Sequence, residues 1–242
     1  MEYALPMSDS YFFVAKPGRE LCFLSKMALA MRECLLWSYP KDGSETIGLK
    51  GDRKTDASMD KAAPQVRILP RGGLARGKVQ VIPRALGVWD GRGFTTRNLL
   101  GAAVTAAAWL EKSDKGPRIF CEKGLACSLP EECRHLFTAP DAKQCEFLWP
   151  LAYFRMFDDG PELFANGQFG ELWSRAMELF RDAELGSLDH YGELLRVIII
   201  SAEQWAERGV PDKKAAPLGA ASSIISQSNP PKFVLDMVKA WK

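Results

Sequence analysis

The sequence lacks the features that would place the chain in a membrane or in an oxidising compartment. No apolar run reaches the roughly eighteen residues of a membrane-spanning helix, and no basic stretch precedes an apolar core at the N-terminus. Six cysteines in 242 residues are too few for a disulfide scaffold. These absences predict a cytoplasmic protein with reduced thiols and no membrane partner.

Residues that perform common catalytic chemistry are also scarce. Histidine, the usual acid–base group near neutral pH, occurs only as His135 and His190. The sequence contains no G-x-x-x-x-G-K-[ST] loop, no G-x-S-x-G elbow and no H-E-x-x-H pair. Nucleotide hydrolysis, serine hydrolysis and zinc proteolysis are therefore poorly supported, and we expect no cofactor.

Four cysteines in the middle of the chain raise the question of a metal site. Their spacing is wider than that of the C-x2-C knuckles that usually hold zinc, and the four are Cys121, Cys127, Cys133 and Cys145. This spacing favours buried free cysteines, so we predict no metal. The sequence alone leaves the zinc alternative open.

The most unusual feature that is present is a basic segment, residues 67–97. It contains seven cations against a single acid, whereas the whole chain has a net charge of only +2. Six glycines lie among the cations, and glycine allows a backbone to approach a ligand closely. Cations and close backbone N–H groups suit an extended polyanion, of which nucleic acid is the commonest. The predicted phosphate-binding residues of this segment are Arg67, Arg71, Arg76, Lys78, Arg84, Arg92 and Arg97.

A simpler interpretation of the basic segment is a pair of solvated strands joined by polar turns. Residues 79–82 are typical of a short strand, and turn signals occur at 70–73 and 90–93. Arginine is tolerated on any wet surface. The concentration of charge in one segment is what favours nucleic-acid binding.

The region ahead of the basic segment predicts a strand at 11–15 and an amphipathic helix at 19–37. Four cations lie in or beside this helix: Lys16, Arg19, Lys26 and Arg32. If the helix packs near the basic segment, these cations extend the phosphate-binding surface, and Lys16 and Lys26 are then binding residues. The alternative is a solvated helix face. Residues 38–64 are polar and rich in helix breakers, which predicts a long loop.

The second half of the chain is predicted to be helical. Helices are expected at 98–112, with Thr95 or Asn98 as the cap, and at 161–184, 188–208 and 233–241. We therefore predict an α+β protein. It comprises an N-terminal α/β region, 1–100, with a basic glycine- and arginine-rich loop, and a mainly helical region, 101–242.

Whether the protein is an enzyme is left open by the sequence. No histidine or carboxylate cluster lies near the basic segment in sequence, so RNA cleavage would have to be metal-independent. Arginines would stabilise charge on the phosphate, with the 2′-hydroxyl of the RNA as nucleophile. The candidate catalytic residues are Arg19, Arg32, Arg71 and Arg76.

The strand at 11–15, the basic helix at 19–37 and the loop at 71–78 (RGGLARGK) together resemble the layout of the RAMP superfamily of CRISPR-associated proteins. The resemblance covers about the first 100 residues. It implies a ferredoxin-like fold and guide-RNA binding by the glycine-rich loop. The chain departs from the family in having no histidine in its first helix, where many of the repeat-RNA endonucleases have one, and in its helical second half.

Two hypotheses follow. The first is an RNA-binding subunit of a prokaryotic ribonucleoprotein, such as a CRISPR effector or a crRNA-processing protein, which clamps RNA or DNA and docks onto other protein subunits. The second is a helical interaction protein without nucleic-acid chemistry. Its partner would meet the acidic residues 141–211 and a terminal helix bearing Phe233, Met237 and Trp241.

Overall fold

The computed structural model describes residues 3–7, 10–37, 69–89, 92–112, 116–122, 124–138, 145–156, 167–183, 188–208 and 215–241. For residues 83–89 and 92–98 it describes the backbone but not the side chains. Arg67 and the loop predicted at 38–64 lie outside the described residues.

The N-terminal part consists of a hairpin followed by a long helix. Strands β1 (Tyr3–Met7) and β2 (Ser10–Val14) pair antiparallel, and helix α1 spans Glu20–Trp37. Both β2 and α1 agree with the sequence prediction. Helix α1 buries Leu24, Ala28, Met31 and Leu35, which recur every three or four residues and so lie on one face.

A short three-stranded sheet forms the centre of the middle region. Its strands are β3 (Gly72–Leu74), β6 (Ile119–Cys121) and β7 (Cys145–Phe147). Strand β6 lies in the middle, parallel to β3 and antiparallel to β7. Parallel neighbours need a long crossover connection, and the basic segment is part of it.

The crossover contains a long hairpin and a helix. Strands β4 (Gln80–Trp89) and β5 (Arg92–Leu100) pair antiparallel, and helix α2 (Ala102–Glu111) then packs against β3 and β6. Trp89 lies opposite Arg92 in the register, and the sequence Asp-Gly between them is a strong hairpin signal. The basic hairpin is thus inserted between β3 and the crossover helix.

Helices make up most of the remaining chain. The short helices α3 (Leu125–Ser128) and α4 (Glu131–Arg134) lie between β6 and β7. The later helices are α5 (Trp149–Met156), α6 (Gln168–Arg181), α7 (Leu188–Arg208), α8 (Ala215–Gln227) and α9 (Lys232–Lys239). One buried cluster contains residues of α1, the sheet and these helices.

The α+β class with mostly helical content is confirmed, but details differ from the sequence predictions. The described strands form one mixed sheet and two separate hairpins, not the single antiparallel sheet of a ferredoxin-like fold. The helix predicted at 98–112 begins only at Ala102, because Asn98 belongs to β5. Gly101 occupies the N-cap position, so the predicted caps Thr95 and Asn98 are wrong.

None of the helices in the described part of the chain combines the length and the apolar character that a membrane span requires.

Candidate nucleic-acid interface

Three cations of the basic segment are exposed on or beside the loop that joins β3 to β4. Arg71 directly precedes β3, and Arg76 and Lys78 lie between the two strands. No ion pair links Lys78 to another described residue. The short strand and the helix behind it fix the backbone from which these side chains extend.

Gly73 allows helix α2 to lie directly on β3. A Cβ atom at this position would be 2.0 Å from the carbonyl oxygen of Ala107 and 2.8 Å from the Cβ of Leu110. The backbone of β3 therefore approaches α2 more closely than any side chain permits. This glycine serves the packing of the protein, not the approach of a ligand as the sequence suggested.

Gly101 fixes the start of α2 against the loop. Its φ angle of 141° belongs to the region that favours glycine, and a Cβ would lie 2.3 Å from the carbonyl oxygen of Lys78. The N-terminus of α2 has no side-chain cap, so the partial positive charge of its free N–H groups is not offset there. Lys78 lies beside this end of the helix. A shallow cleft of about 470 Å³ lies here, lined by Lys78, Val79, Gln80, Leu100 and Gly101.

The two arginines of this region make contacts that hold them near α2 and α3. Arg71 forms an ion pair with Glu111, at the last residue of α2. Arg76 donates a hydrogen bond of 3.0 Å to the carbonyl oxygen of Ser128, at the end of α3. Cations therefore lie near both ends of α2, with Lys78 at its start and Arg71 at its end.

The solvent-facing side of α2 is a feature that the sequence analysis missed. Ala102, Thr105, Trp109 and Lys112 are all exposed, and their spacing places them on one face of the helix. The side chain of Trp109 is 73 % exposed. The opposite face, with Ala103, packs against the loop and β3.

The structure brings His190 close to Arg71, although 118 residues separate them in the sequence. The backbone N–H of Gly116 donates a hydrogen bond of 3.1 Å to Nδ1 of His190. Burial and the charge of Arg71 lower the pKa of His190. The imidazole is therefore neutral with its proton on Nε2, which makes it a hydrogen-bond donor there and not a general base.

The cations in or beside α1 include one that is tied to other helices and three that are exposed. Their part in a phosphate-binding surface stays a prediction. Arg32 is half-buried and forms ion pairs with Glu33 and Glu171, and its guanidinium lies over the ring of Tyr153. It therefore ties α1 to α5 and α6. Lys16, Arg19 and Lys26 are exposed. Helix α1 packs against α4, α5 and α6.

The four arginines proposed for catalysis do not converge on one phosphate. Arg19 and Arg32 are thirteen residues apart, which corresponds to about 20 Å along a helix. Arg71 is bound to Glu111 and Arg76 to Ser128, on different helices. A reacting phosphate can be contacted by only part of this set.

The remaining basic residues extend along the β4–β5 hairpin. The backbone register places Arg84 opposite Thr96 and Arg97 opposite Pro83, and Arg92 follows the turn. Ten residues of β4 span about 30 Å at the usual rise per residue of a strand. For these three arginines the structure describes the backbone but not the side chain.

Comparison with protein-family models, with curated proteins and with solved structures found no match.

The cysteines predicted as possible zinc ligands do not assemble. Cys121 and Cys145 lie opposite each other on β6 and β7, Cys133 is buried in α4, and Cys127 is exposed. Among the described residues, no group of three or more histidine, cysteine or acidic side chains could hold a metal ion.

A second cleft, of about 490 Å³, lies between α6, α7 and α9. Asp189, Glu193 and Arg196 supply its charged groups, and Phe180 and Phe233 line the apolar side. The two acids make it less suited to a polyanion than the surface around Lys78.

The aromatic residues predicted for a partner interface lie on the terminal helix and just after it. Phe233, Met237 and Trp241 are partly buried and pack against the hydrophobic core. The Phe233 ring lies edge-on against Phe180, with their centres 6.3 Å apart. These three side chains contribute to the core and leave only part of their surface for a partner, and the interaction hypothesis stays a prediction.

Proposed function

We propose that the protein is an RNA-binding subunit of a ribonucleoprotein, and that it holds the phosphate backbone along α2 and the β4–β5 hairpin. The observation that supports this best is the placement of exposed cations at both ends of α2. Lys78 is at the start of the helix, and Arg71 and Lys112 are at its end.

The local charge favours a polyanion. Four described cations lie around α2 and the β3–β4 loop: Arg71, Arg76, Lys78 and Lys112. Two acids among the described residues lie in the same region, Glu111 and Glu122, and Glu111 is already paired with Arg71. The uncapped N-terminus of α2 adds further positive potential beside Lys78.

The hairpin extends this surface. Strand β4 begins two residues after Lys78, and β5 ends directly before Gly101. A nucleic acid bound along α2 can therefore continue onto the hairpin, whose sequence is poor in acids. Arg84, Arg92 and Arg97 are the cations of residues 80–100, and Asp90 is the only acid in this stretch of the sequence. Two-stranded ribbons with basic side chains are a known means of contacting nucleic acid.

The proposal concerns binding. Cleavage by Arg19, Arg32, Arg71 and Arg76 acting together receives no support from their placement, because Arg19 and Arg32 are about 20 Å apart along α1. The setting implied by the RAMP resemblance, a CRISPR-associated complex with other protein subunits, is a further part of the proposal.

Copurification tests the proposal directly. The full chain is purified at moderate salt, the ratio of its absorbance at 260 and 280 nm is measured, and any bound nucleic acid is sequenced. We expect small RNAs, and RNAs with one defined end would support the guide-RNA setting. A protein-only spectrum, together with no binding of added RNA or DNA, would refute the proposal.

A further inference from the structure

Trp109 is the most exposed large apolar side chain in the described part of the chain. Its side chain is 73 % exposed, compared with 53 % for Leu100 and 45 % for Leu21. Tryptophan is highly buried on average in folded proteins. Nothing in the packing of α2 requires an aromatic ring at this position.

Helix α2 holds the ring on a fixed support. The opposite face of the helix packs against β3 through the close contact of Gly73 with Ala107, and Ala103 is buried beside Gly77. The backbone of Trp109 therefore cannot turn to bury the ring in the core. The indole is therefore exposed to solvent on a helix whose backbone is fixed.

The neighbours of Trp109 indicate which partner the ring suits. The other exposed residues of this helix face are Ala102, Thr105 and Lys112, which are small or polar. A protein-docking surface usually has a contiguous apolar patch, and the next most exposed large apolar side chain, Leu100, lies outside this helix, at the end of β5. An isolated aromatic ring between cations is instead typical of surfaces that bind single-stranded nucleic acid.

We propose that Trp109 stacks on an unpaired base of a single strand whose phosphates are held by Lys78 at the start of α2 and by Arg71 and Lys112 at its end. This inference rests on the proposed function and adds that the ligand is single-stranded. A base inside a duplex is already stacked on both sides and cannot lie on the indole without being displaced. The ring therefore gives selectivity for single strands, while the cations bind either form.

The test uses fluorescence anisotropy with three labelled RNA probes of equal length: a single strand, the corresponding duplex, and an abasic strand that keeps only the sugar–phosphate backbone. The proteins are the wild type, Trp109→Ala and Trp109→Phe. We expect Trp109→Ala to weaken single-strand binding by about 5- to 150-fold, the range found for stacked bases. Trp109→Phe should retain most of the affinity because phenylalanine also stacks.

The other two probes separate stacking from general effects. Duplex and abasic affinities should be the same for the wild type and Trp109→Ala, because neither probe offers a free base. The side chain is exposed, so the variant is expected to fold, and its melting temperature checks this.

Distinct outcomes contradict the two proposals. Unchanged single-strand binding by Trp109→Ala would overturn the stacking role while leaving the phosphate contacts intact. An equal loss on the abasic strand would also overturn it, since no base would be involved. If the wild type binds none of the probes, the proposed function itself fails. If the wild type retains a protein partner that Trp109→Ala releases, and RNA binding is unchanged, the ring belongs to a protein interface instead.

Discussion

Replacing Gly73 by alanine should destabilise the protein far more than the same change at its neighbour Gly72. A Cβ at Gly73 would lie 2.0 Å from the carbonyl oxygen of Ala107, whereas carbon–oxygen contacts in proteins begin at about 3.3 Å. The obstacle is backbone, which cannot rotate away as a side chain can. Helix α2 would have to move by more than about 1 Å to accommodate the methyl group.

The magnitude follows from the cost of overpacking. Inserted methyl groups typically cost about 1–3 kcal/mol, and a fixed backbone oxygen places Gly73→Ala near about 3 kcal/mol. At about 2–4 °C for each kcal/mol in a chain of this size, the melting temperature should fall by about 6–12 °C. At Gly72 the nearest atom would be Cγ1 of Ile119 at 3.6 Å, which is ordinary contact, so Gly72→Ala should change stability by less than about 1 kcal/mol.

Thermal unfolding followed by circular dichroism measures both variants on the same day and in the same buffer. A Gly73→Ala protein that melts within about 2 °C of the wild type would refute the close packing of α2 on β3. Equal losses in the two variants would refute it as well, because the difference in space behind the two glycines would then have no consequence.

Two further predictions concern an ion pair between the start of β6 and strand β7, and a histidine at the start of α7. Arg118 makes two hydrogen bonds, of 2.8 and 2.7 Å, to the buried carboxylate of Glu146, so Arg118→Met should lose about 3 kcal/mol of unfolding free energy in urea; the exposed Arg196→Met is the control, with an expected loss below about 1 kcal/mol. The pKa of His190 is lowered in the folded protein, so the unfolded chain binds the proton first as the pH falls. Stability should therefore be complete above pH 6.5, the ordinary pKa of histidine, and should decline below it. His190→Asn should remove this decline, because its side-chain oxygen can still accept the hydrogen bond of Gly116 without titrating.

Each of these two predictions has an outcome that contradicts it. If Arg118→Met is no less stable than Arg196→Met, the buried carboxylate of Glu146 does not depend on the arginine. If wild type and His190→Asn lose stability in parallel between pH 7.5 and pH 5, other groups account for the acid sensitivity and the hydrogen bond to Gly116 contributes nothing measurable to it.

Elements with a strong local signal could be predicted from the sequence. The apolar spacing in 19–37 and 188–208 corresponds to α1 and α7 almost residue for residue, since a long amphipathic or buried helix repeats its pattern many times. The Asp90-Gly91 signal in the sequence agrees with the antiparallel pairing of β4 and β5, although the short strand expected at 79–82 continues to Trp89.

Features that depend on distant pairing could not be predicted. Strands β3, β6 and β7 have only three residues each, too few for a periodic signal, and β3 pairs with a strand 47 residues further along the chain. The roles of Gly73 and Gly101 in packing, the proximity of His190 to Arg71 and the exposed position of Trp109 all follow from that pairing. Arg32 was assigned to a ligand surface because the sequence does not show Glu171 facing it.

The salt dependence of RNA binding tests the central claim most directly. A single-stranded RNA is titrated at several salt concentrations with the wild type, with Arg71→Ala/Arg76→Ala/Lys78→Ala, and with a control triple variant that removes the same charge elsewhere, Arg155→Ala/Lys232→Ala/Lys239→Ala. Each lost phosphate contact reduces the slope of log affinity against log salt by about 0.7. We expect the first triple variant to reduce the slope of log affinity against log salt by about two, and the control variant to leave the slope unchanged. Equal slopes for the wild type and the first triple variant would show that Arg71, Arg76 and Lys78 do not bind the RNA phosphates.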